Sequence, residues 1–254
     1  MQSKIIIANW KAYLSIVESE ELAKEIYDFA KSKKDLPKII ICPSFPALPS
    51  VGKILCGRKN IKLGAQNASW CERGAYTGEV IAPCLGELGC EFVILGHSER
   101  RKHFNEKNPD INQRVKMALQ NNLTPIVCVG ETREEKQAGQ RDDVVRAQVI
   151  ECAGDLDPEP GQKIIIAYEP VWVIGTGQAV APEDAEHSHQ VIKQALVDKY
   201  SESEYNTHFQ IIYGGSVGAG NLKGFFEKDI IAGVLVGGAS AKAQSLKQLI
   251  EVCL

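Results

Sequence analysis

The amino-acid sequence predicts a (β/α)8 barrel, an α/β fold that forms a single domain over residues 1–254. Short apolar, β-branched runs alternate with longer segments of helical periodicity along the whole chain. This alternation gives about eight β-α units, and no linker or low-complexity tract divides them. A doubly wound open sheet is the competing architecture, but no predicted strand is followed by a strict G-x-G-x-x-G motif or a Walker A lysine loop.

The predicted strands are apolar runs that are too short for helices and apolar enough to be covered on both faces. They cover residues 5–8, 39–42, 61–65, 92–95, 125–129, 164–167, 210–213 and 234–236. The segments between them show helical periodicity and helix start signals, including a proline suited to a first turn. The clearest predicted helices cover residues 19–30, 108–121, 132–152, 182–200 and 241–253.

Composition excludes several classes of protein. The formal net charge is −3, and the basic residues are scattered, which argues against a nucleic-acid partner. The eight cysteines include no C-x-x-C pair, so we expect free thiols in a reducing compartment and no zinc or redox site. The apolar run near the N-terminus is too short for a signal peptide or a membrane span. We therefore expect a cytoplasmic protein that does not bind membranes.

Chemistry in such a barrel is expected at the carboxyl ends of the strands, because the loops that follow them share one face. Asn9 and Lys11 follow the first strand, and the ammonium of Lys11 could hold a negative substrate or an oxyanion. Glu169 follows the sixth strand, and Pro170 disfavours a helical backbone at that carboxylate. Taken alone, Glu169 is equally consistent with a solvated carboxylate in a loop.

The fourth, seventh and eighth strands also end in suggestive residues. His97 stands where a helix would start, which favours a neutral imidazole, although a purely structural histidine is an equal alternative. Paired glycines follow the last two strands, and such turns let backbone N–H groups converge on an anion. After Glu169, an apolar stretch closed by Gly175 and Gly177 indicates a mobile lid.

Three rival motifs are weaker. Ser216 fits the G-x-S-x-G nucleophile elbow, but no histidine follows it in the chain, as a hydrolase of that kind requires. His187 and His189 could suggest a metal, but residues two apart point to different faces of a helix, so we interpret them as solvated. Cys128 is interpreted as a core thiol rather than a nucleophile, because no base is tied to it.

Four motifs in order give the chain a resemblance to the triosephosphate isomerases, which have the TIM barrel fold. The motifs are Asn9-Trp10-Lys11, Gly96-His97-Ser98-Glu99-Arg100-Arg101, Ala167-Tyr168-Glu169-Pro170-Val171-Trp172 and Tyr213-Gly214-Gly215-Ser216-Val217. The resemblance implies interconversion of dihydroxyacetone phosphate and D-glyceraldehyde 3-phosphate in glycolysis and gluconeogenesis, with no cofactor and no metal. The same enzyme is a standard example of tuned acid-base chemistry.

The resemblance also implies the roles of individual residues. Glu169 would be the general base, neutral His97 would donate to the carbonyl oxygens, and Lys11 and Asn9 would stabilise the enediolate. Glu99 would support His97 or relay a proton. Contacts to the phosphate would come from Gly175, Ser216, Gly237 and Gly238, together with Asn9 and Lys11 as substrate-binding residues.

Beyond the site residues, the resemblance implies a lid and a homodimer. The lid would run from Pro170 to about Val180, and it departs from the family pattern at Val173 and at residues 178–180. The dimer would form through the loop from Gln66 to Gly78, with Thr77 approaching the partner's active site. For Trp70 and Tyr76 in this loop, packing on their own barrel is the alternative.

Two other functions stay open at this stage. A different phosphate-binding barrel enzyme could use Lys11 as a Schiff-base amine. A catalytically silent barrel could serve as a binding protein, although it would be free to lose Lys11, His97 or Glu169, and all three are present.

Overall fold

The computed structural model describes residues 4–254 and shows a closed barrel of eight parallel strands. Each strand pairs with the strand that follows it in the chain, and the first strand pairs with the last, which closes the ring. The predicted (β/α)8 TIM barrel is therefore confirmed. The domain boundaries 1–254 stay a prediction, since residues 1–3 lie outside the described part of the chain.

Every predicted strand is present and agrees with the apolar run that predicted it to within two residues. The strands are β1 (Ile5–Asn9), β2 (Lys38–Cys42), β3 (Ile61–Ala65), β4 (Cys90–Leu95), β5 (Thr124–Val129), β6 (Ile164–Tyr168), β7 (Phe209–Tyr213) and β8 (Gly233–Val236). The α-helices within residues 4–254 are α1 (Ile16–Lys31), α2 (Leu48–Leu55), α3 (Ala82–Glu87), α4 (Ser98–Phe104), α5 (Asn108–Gln120), α6 (Arg133–Gln137), α7 (Arg141–Ala153), α8 (Pro182–Lys199), α9 (Glu202–His208), α10 (Ala219–Phe226) and α11 (Ala243–Glu251).

The helix predictions need two corrections. The single helix predicted over residues 132–152 is wrong, because the segment forms α6 and α7 with Gly139 between them at a φ of 72°. Such a left-handed backbone interrupts a right-handed helix. The helix predicted over residues 241–253 is shorter than expected, because a 3-10 turn (Gly238–Ala241) precedes α11.

The core lies in two layers, because successive side chains of a strand point to opposite faces. Ile5 and Ile7 of β1 belong to the cluster inside the barrel, whereas Ile6 and Ala8 pack against the surrounding helices. The interior is filled by such side chains, so the loops at the carboxyl ends of the strands carry the accessible chemistry. No helix in the described residues is both long and apolar enough to cross a membrane.

Candidate active site

A cavity of about 600 Å³ opens at the carboxyl ends of the strands. It brings together almost all the residues that the sequence predicted as functional. Those that line it are Asn9, Lys11, His97, Glu169, Gly175, Ser216, Gly237 and Gly238. The exception is Glu99, which stands outside the lining and contacts Lys11 instead. A larger cleft of about 840 Å³ lies near the starts of β3 and β4 and contains none of these residues.

Glu169 lies just past the end of β6 and is only 2% exposed. Its Oε2 accepts a hydrogen bond of 2.9 Å from the backbone N–H of Ser98, at the start of α4. Its Oε1 has no hydrogen-bond partner among the described residues. That oxygen lies 3.1 Å from Nε2 of His97, without the alignment of a hydrogen bond. One carboxylate oxygen is therefore anchored and the other is free, as a proton acceptor requires.

The backbone of Glu169 is fixed by close contact with β5. Its N–H donates to the carbonyl of Val129 at 2.7 Å. A Cβ atom at Gly130 would lie 1.7 Å from the carbonyl oxygen of Glu169, so only glycine fits there. The chain thus holds the carboxylate on a rigid support rather than on a flexible loop.

His97 is the N-cap residue of α4, as the sequence predicted, and it is buried. Its Nδ1 accepts a hydrogen bond of 3.2 Å from the backbone N–H of Glu99. A ring nitrogen that accepts a hydrogen bond carries no proton, so the neutral ring has its proton on Nε2. This nitrogen is the one nearest Glu169, and the ring is therefore set to donate to a substrate in the cavity.

Lys11 has a left-handed backbone with a φ of 50°, which is uncommon for a residue other than glycine. Two side chains hold this conformation: Oδ1 of Asn9 accepts from the Lys11 N–H at 3.1 Å, and Nε2 of Gln66 donates to the Lys11 carbonyl at 2.8 Å. The ammonium lies 2.5 Å from Oε1 of Glu99. The strained backbone is thus tied down and places a cation at the mouth of the barrel.

The turns after β7 and β8 form the other wall of the cavity. Asn221 holds the first of them: its Oδ1 accepts from the Gly218 N–H at 2.9 Å, and its Nδ2 donates to the Ser216 carbonyl at 3.2 Å. A Cβ at Gly215 would lie 2.1 Å from the hydroxyl oxygen of Tyr213, so this position also requires glycine. Backbone N–H groups in such turns, together with a nearby ammonium, suit an anion such as phosphate.

The segment after Glu169, which the sequence predicts to be a lid, has an ordered start and an exposed tip. Its start forms a 3-10 helix (Val171–Val173), and residues 175–178 are exposed, with Gly175 and Gly177 both at a φ of 76°. Within the short helix, Nε1 of Trp172 donates to Oε1 of Glu131 at 2.8 Å. The apolar start of this segment is therefore anchored, while its glycine-containing tip extends into solvent.

Glu131 is fully buried, and a second donor reaches it from β6. The hydroxyl of Tyr168 donates to Oε2 of Glu131 at 3.1 Å. Burial, and then the charge of Glu131, raise the pKa of Tyr168, so the phenol keeps its proton and can donate.

The structure decides two of the rival motifs. His187 is exposed as predicted, but the interpretation of His189 as solvated is wrong, because this residue is fully buried on the face of α8 that packs against the barrel. Cys128 is buried in the barrel, as predicted, and burial raises the pKa of its thiol well above the ordinary value, so a thiolate nucleophile is disfavoured there. As for the hydrolase alternative, no hydrogen bond joins Ser216 to a histidine within residues 4–254.

Sequence reasoning missed Gln66, Glu131, Asn221 and the backbone N–H of Ser98. Gln66 belongs to a loop that the sequence predicts only as a dimer contact. Asn221 acts on backbone groups, with no local signal of that role, and Glu131 acts on side chains distant in sequence. For Glu131, its place just past the end of β5 was the one available hint.

Comparison with known proteins agrees with the geometry. A family model described as triosephosphate isomerase matches residues 4–253. The triosephosphate isomerase of Dictyoglomus turgidum is 44% identical over 251 residues, which cover 99% of this chain and 100% of that protein. Those of Alkaliphilus metalliredigens and Clostridium botulinum are 42% and 41% identical, over 252 and 251 residues, with the same coverage.

Proposed function

The chain belongs to the triosephosphate isomerase family, and we propose that Glu169, His97 and Lys11 carry out the proton transfer of that reaction. The protein is an aldose-ketose isomerase that interconverts dihydroxyacetone phosphate and D-glyceraldehyde 3-phosphate in glycolysis and gluconeogenesis. The observation that carries the residue assignment is Oε1 of Glu169, which has no hydrogen-bond partner within residues 4–254 and lies in the cavity beside Nε2 of His97.

In the proposed mechanism, Oε1 of Glu169 removes the proton from the carbon next to the carbonyl group and returns it to the neighbouring carbon. The anchored Oε2 keeps the carboxylate in place for both transfers, because its bond to the Ser98 N–H does not involve the substrate. A positioned general base of this kind contributes about 10²–10⁴-fold to a rate. Two protons move within the substrate: one passes between the carbons through Glu169, and one passes from the hydroxyl oxygen to the former carbonyl oxygen on the side of His97. The substrate and product are isomers, so the reaction needs no added group.

His97 and Lys11 act on the oxygen atoms of the substrate. The Nε2–H of His97 donates to the carbonyl oxygens, on which charge develops as the enediolate forms. Lys11 supplies positive charge and Asn9 supplies an amide at the same wall of the cavity. Glu99 takes a supporting part, because its carboxylate pairs with the Lys11 ammonium and its N–H fixes the tautomer of His97.

The phosphate group of the substrate binds at the glycine turns. Ser216, Gly237 and Gly238 offer backbone N–H groups from the turns after β7 and β8, and Gly175 brings one from the lid. Closure of residues 170–180 over the substrate excludes water and strengthens every electrostatic contact inside the cavity.

The test of the proposed base is a comparison of the wild type with Glu169→Gln, with Glu21→Gln on the exposed face of α1 as the control. Conversion of glyceraldehyde 3-phosphate is followed with a chelator present and no cofactor added. The Glu169→Gln variant is expected to lose at least about a hundredfold in kcat, and the control is expected to match the wild type. Equal activity of all three proteins would show that another group is the base.

Borohydride reduction in the presence of substrate separates the competing Schiff-base mechanism. A Schiff base at Lys11 would be trapped as a stable covalent adduct, whereas proton transfer through an enediolate leaves the protein unmodified. Mass spectrometry of Lys11 after reduction reports which mechanism operates.

We also propose a homodimer that forms through the loop 66–78. Large apolar side chains are exposed in the segments that follow β1, β3 and β4, and such exposure is typical of an interface. They are Tyr13 (62%), Ile16 (46%), Val17 (64%), Tyr76 (46%) and Phe104 (66%). Trp70 is instead partly buried, with Tyr76 edge-on against its ring and Arg114 over it, so packing on its own barrel accounts for this tryptophan.

In the proposed dimer the exposed Thr77 reaches the partner's active site. Light scattering at micromolar concentration is expected to give twice the chain mass of 27.8 kDa, and a monomer mass would contradict the dimer.

We also propose a cytoplasmic location, because all eight cysteines are free thiols. Thiol titration of protein taken directly from cells tests this, and disulfides found there would oppose it.

A further inference from the structure

Arg101 makes an unusual set of contacts behind the active site. Its Nε donates to the carbonyl of Gly96 at 2.8 Å, and its Nη2 donates to the carbonyl of Cys128 at 2.9 Å. Its Nη1 donates to Oδ1 of Asn108 at 2.5 Å, and Nη2 also lies 3.6 Å from the sulfur of Cys152. All four acceptors are uncharged, so the guanidinium acts here as a rigid fork of donors rather than as half of an ion pair.

The two carbonyl groups are the first ones beyond the paired part of β4 and β5. The register of these strands ends at the pair Leu95 and Val127, and the next residues are Gly96 and Cys128. Gly96 leaves the strand with a φ of 68°, and a Cβ there would lie 2.6 Å from Ile111. The Arg101 fork therefore joins two strand ends at the point where their pairing stops.

Both carbonyls stand next to groups of the proposed proton transfer. Gly96 directly precedes His97. Cys128 directly precedes Val129, whose carbonyl accepts the hydrogen bond from the N–H of Glu169. A chain of contacts thus runs from the imidazole through Arg101 to the carboxylate, and it limits how far Nε2 of His97 can move from Oε1 of Glu169.

We propose that Arg101 is a positioning residue that sets the separation of His97 and Glu169 for catalysis. This inference rests on the proposed roles of those two residues. Arg101 does not line the cavity and so does not touch the substrate. Its loss should therefore lower kcat and leave KM nearly unchanged, because the groups proposed to bind phosphate lie on the opposite wall.

The test compares Arg101→Lys and Arg101→Ala with Lys102→Ala, which removes the neighbouring exposed cation of the same helix. Arg101→Lys keeps the charge but loses the fork, and we expect kcat to fall about 100-fold, the effect of a misplacement of about 1 Å. Lys102→Ala is expected to keep the wild-type kcat. Thermal unfolding is measured for each protein, so that kcat is expressed per folded molecule.

Two further measurements distinguish positioning from a purely structural role. The affinity of Arg101→Lys for a phosphorylated carboxylate that imitates the enediolate should fall by the same factor as its kcat. Its affinity for inorganic phosphate should be unchanged. Guanidinium ion at millimolar concentration should partly restore kcat of Arg101→Ala, and methylammonium should not. The site can be reached, because Arg101 lines a separate cavity of about 510 Å³.

A wild-type kcat for folded Arg101→Lys would overturn the inference, and so would a lower melting temperature with no change in kcat. Glu169→Gln is assayed in parallel. If it loses activity while Arg101→Lys does not, only the role of Arg101 fails. If Glu169→Gln stays fully active, the assignment of Glu169 as the general base is wrong, and the inference about Arg101 is wrong with it.

Discussion

Acidification from pH 7.5 to pH 5 should destabilise this protein, because His189 is fully buried in α8. Burial lowers the pKa of His189 from 6.5 to about 4. The unfolded chain therefore binds a proton at this histidine below about pH 6.5, and the folded chain binds it only near pH 4. Stability is complete above pH 6.5 and falls as the pH drops between these two values.

The size of the effect follows from the two pKa values. Protonation of this histidine stabilises the unfolded state relative to the folded state by about 2 kcal/mol at pH 5 and by almost nothing at pH 7.5. The free energy of unfolding should thus be about 2 kcal/mol lower at pH 5 from this residue alone. The full difference, reached below pH 4, is about 3.4 kcal/mol.

Urea unfolding at pH 7.5 and pH 5.0, at one fixed protein concentration, measures this difference. His189→Gln should lose most of the pH dependence, although its stability at pH 7.5 is lower because packing against Tyr168 is lost. His103→Gln, at an exposed position in α4, should keep the pH dependence of the wild type. If wild type and His189→Gln lose the same free energy between the two pH values, the assignment to His189 is wrong.

Two substitutions test the supports of the site. Gly215→Ala should weaken phosphate binding by about tenfold or more, because overpacking costs about 1–3 kcal/mol and the new Cβ would meet Tyr213. Gly86→Ala is the control, because a Cβ there has no heavy atom of residues 4–254 within 4 Å, its own helix apart, and Gly86 does not line the cavity; it should bind inorganic phosphate like the wild type in calorimetry. Gln66→Leu should lower kcat by about tenfold or more, because the strained Lys11 backbone loses its donor. Steady-state kinetics with a normal unfolding transition would show this, and an unchanged kcat would mean that Asn9 alone holds the lysine.

The strands and the positions of the candidate site residues could be predicted from the sequence because both depend on local patterns. A run such as residues 164–167 is apolar on every residue and too short for a normal helix, which favours a strand covered on both faces. Glu169 and His97 could be placed because residues that directly follow such runs gather at one end of a barrel.

The short helices and the supports of the site could not be predicted in the same way. The helices α3, α4 and α9 have six or seven residues, which is too short for a clear helical period. The contacts of Arg101 join residues up to 51 positions apart, and they depend on where whole strands end. His189 was interpreted as solvated together with His187, although residues two apart point to different faces of a helix, because the sequence alone did not show which face of α8 packs against the barrel.

The burial of Glu169 has a consequence for how this chain can evolve. This carboxylate is 2% exposed, and its withdrawal from water opposes folding. An apolar residue in that place would remove this cost and, in the proposed mechanism, the general base. Selection for stability alone therefore acts against Glu169, and only selection for flux through the reaction retains it. In a lineage that no longer needed the reaction, this carboxylate would disappear long before the barrel did.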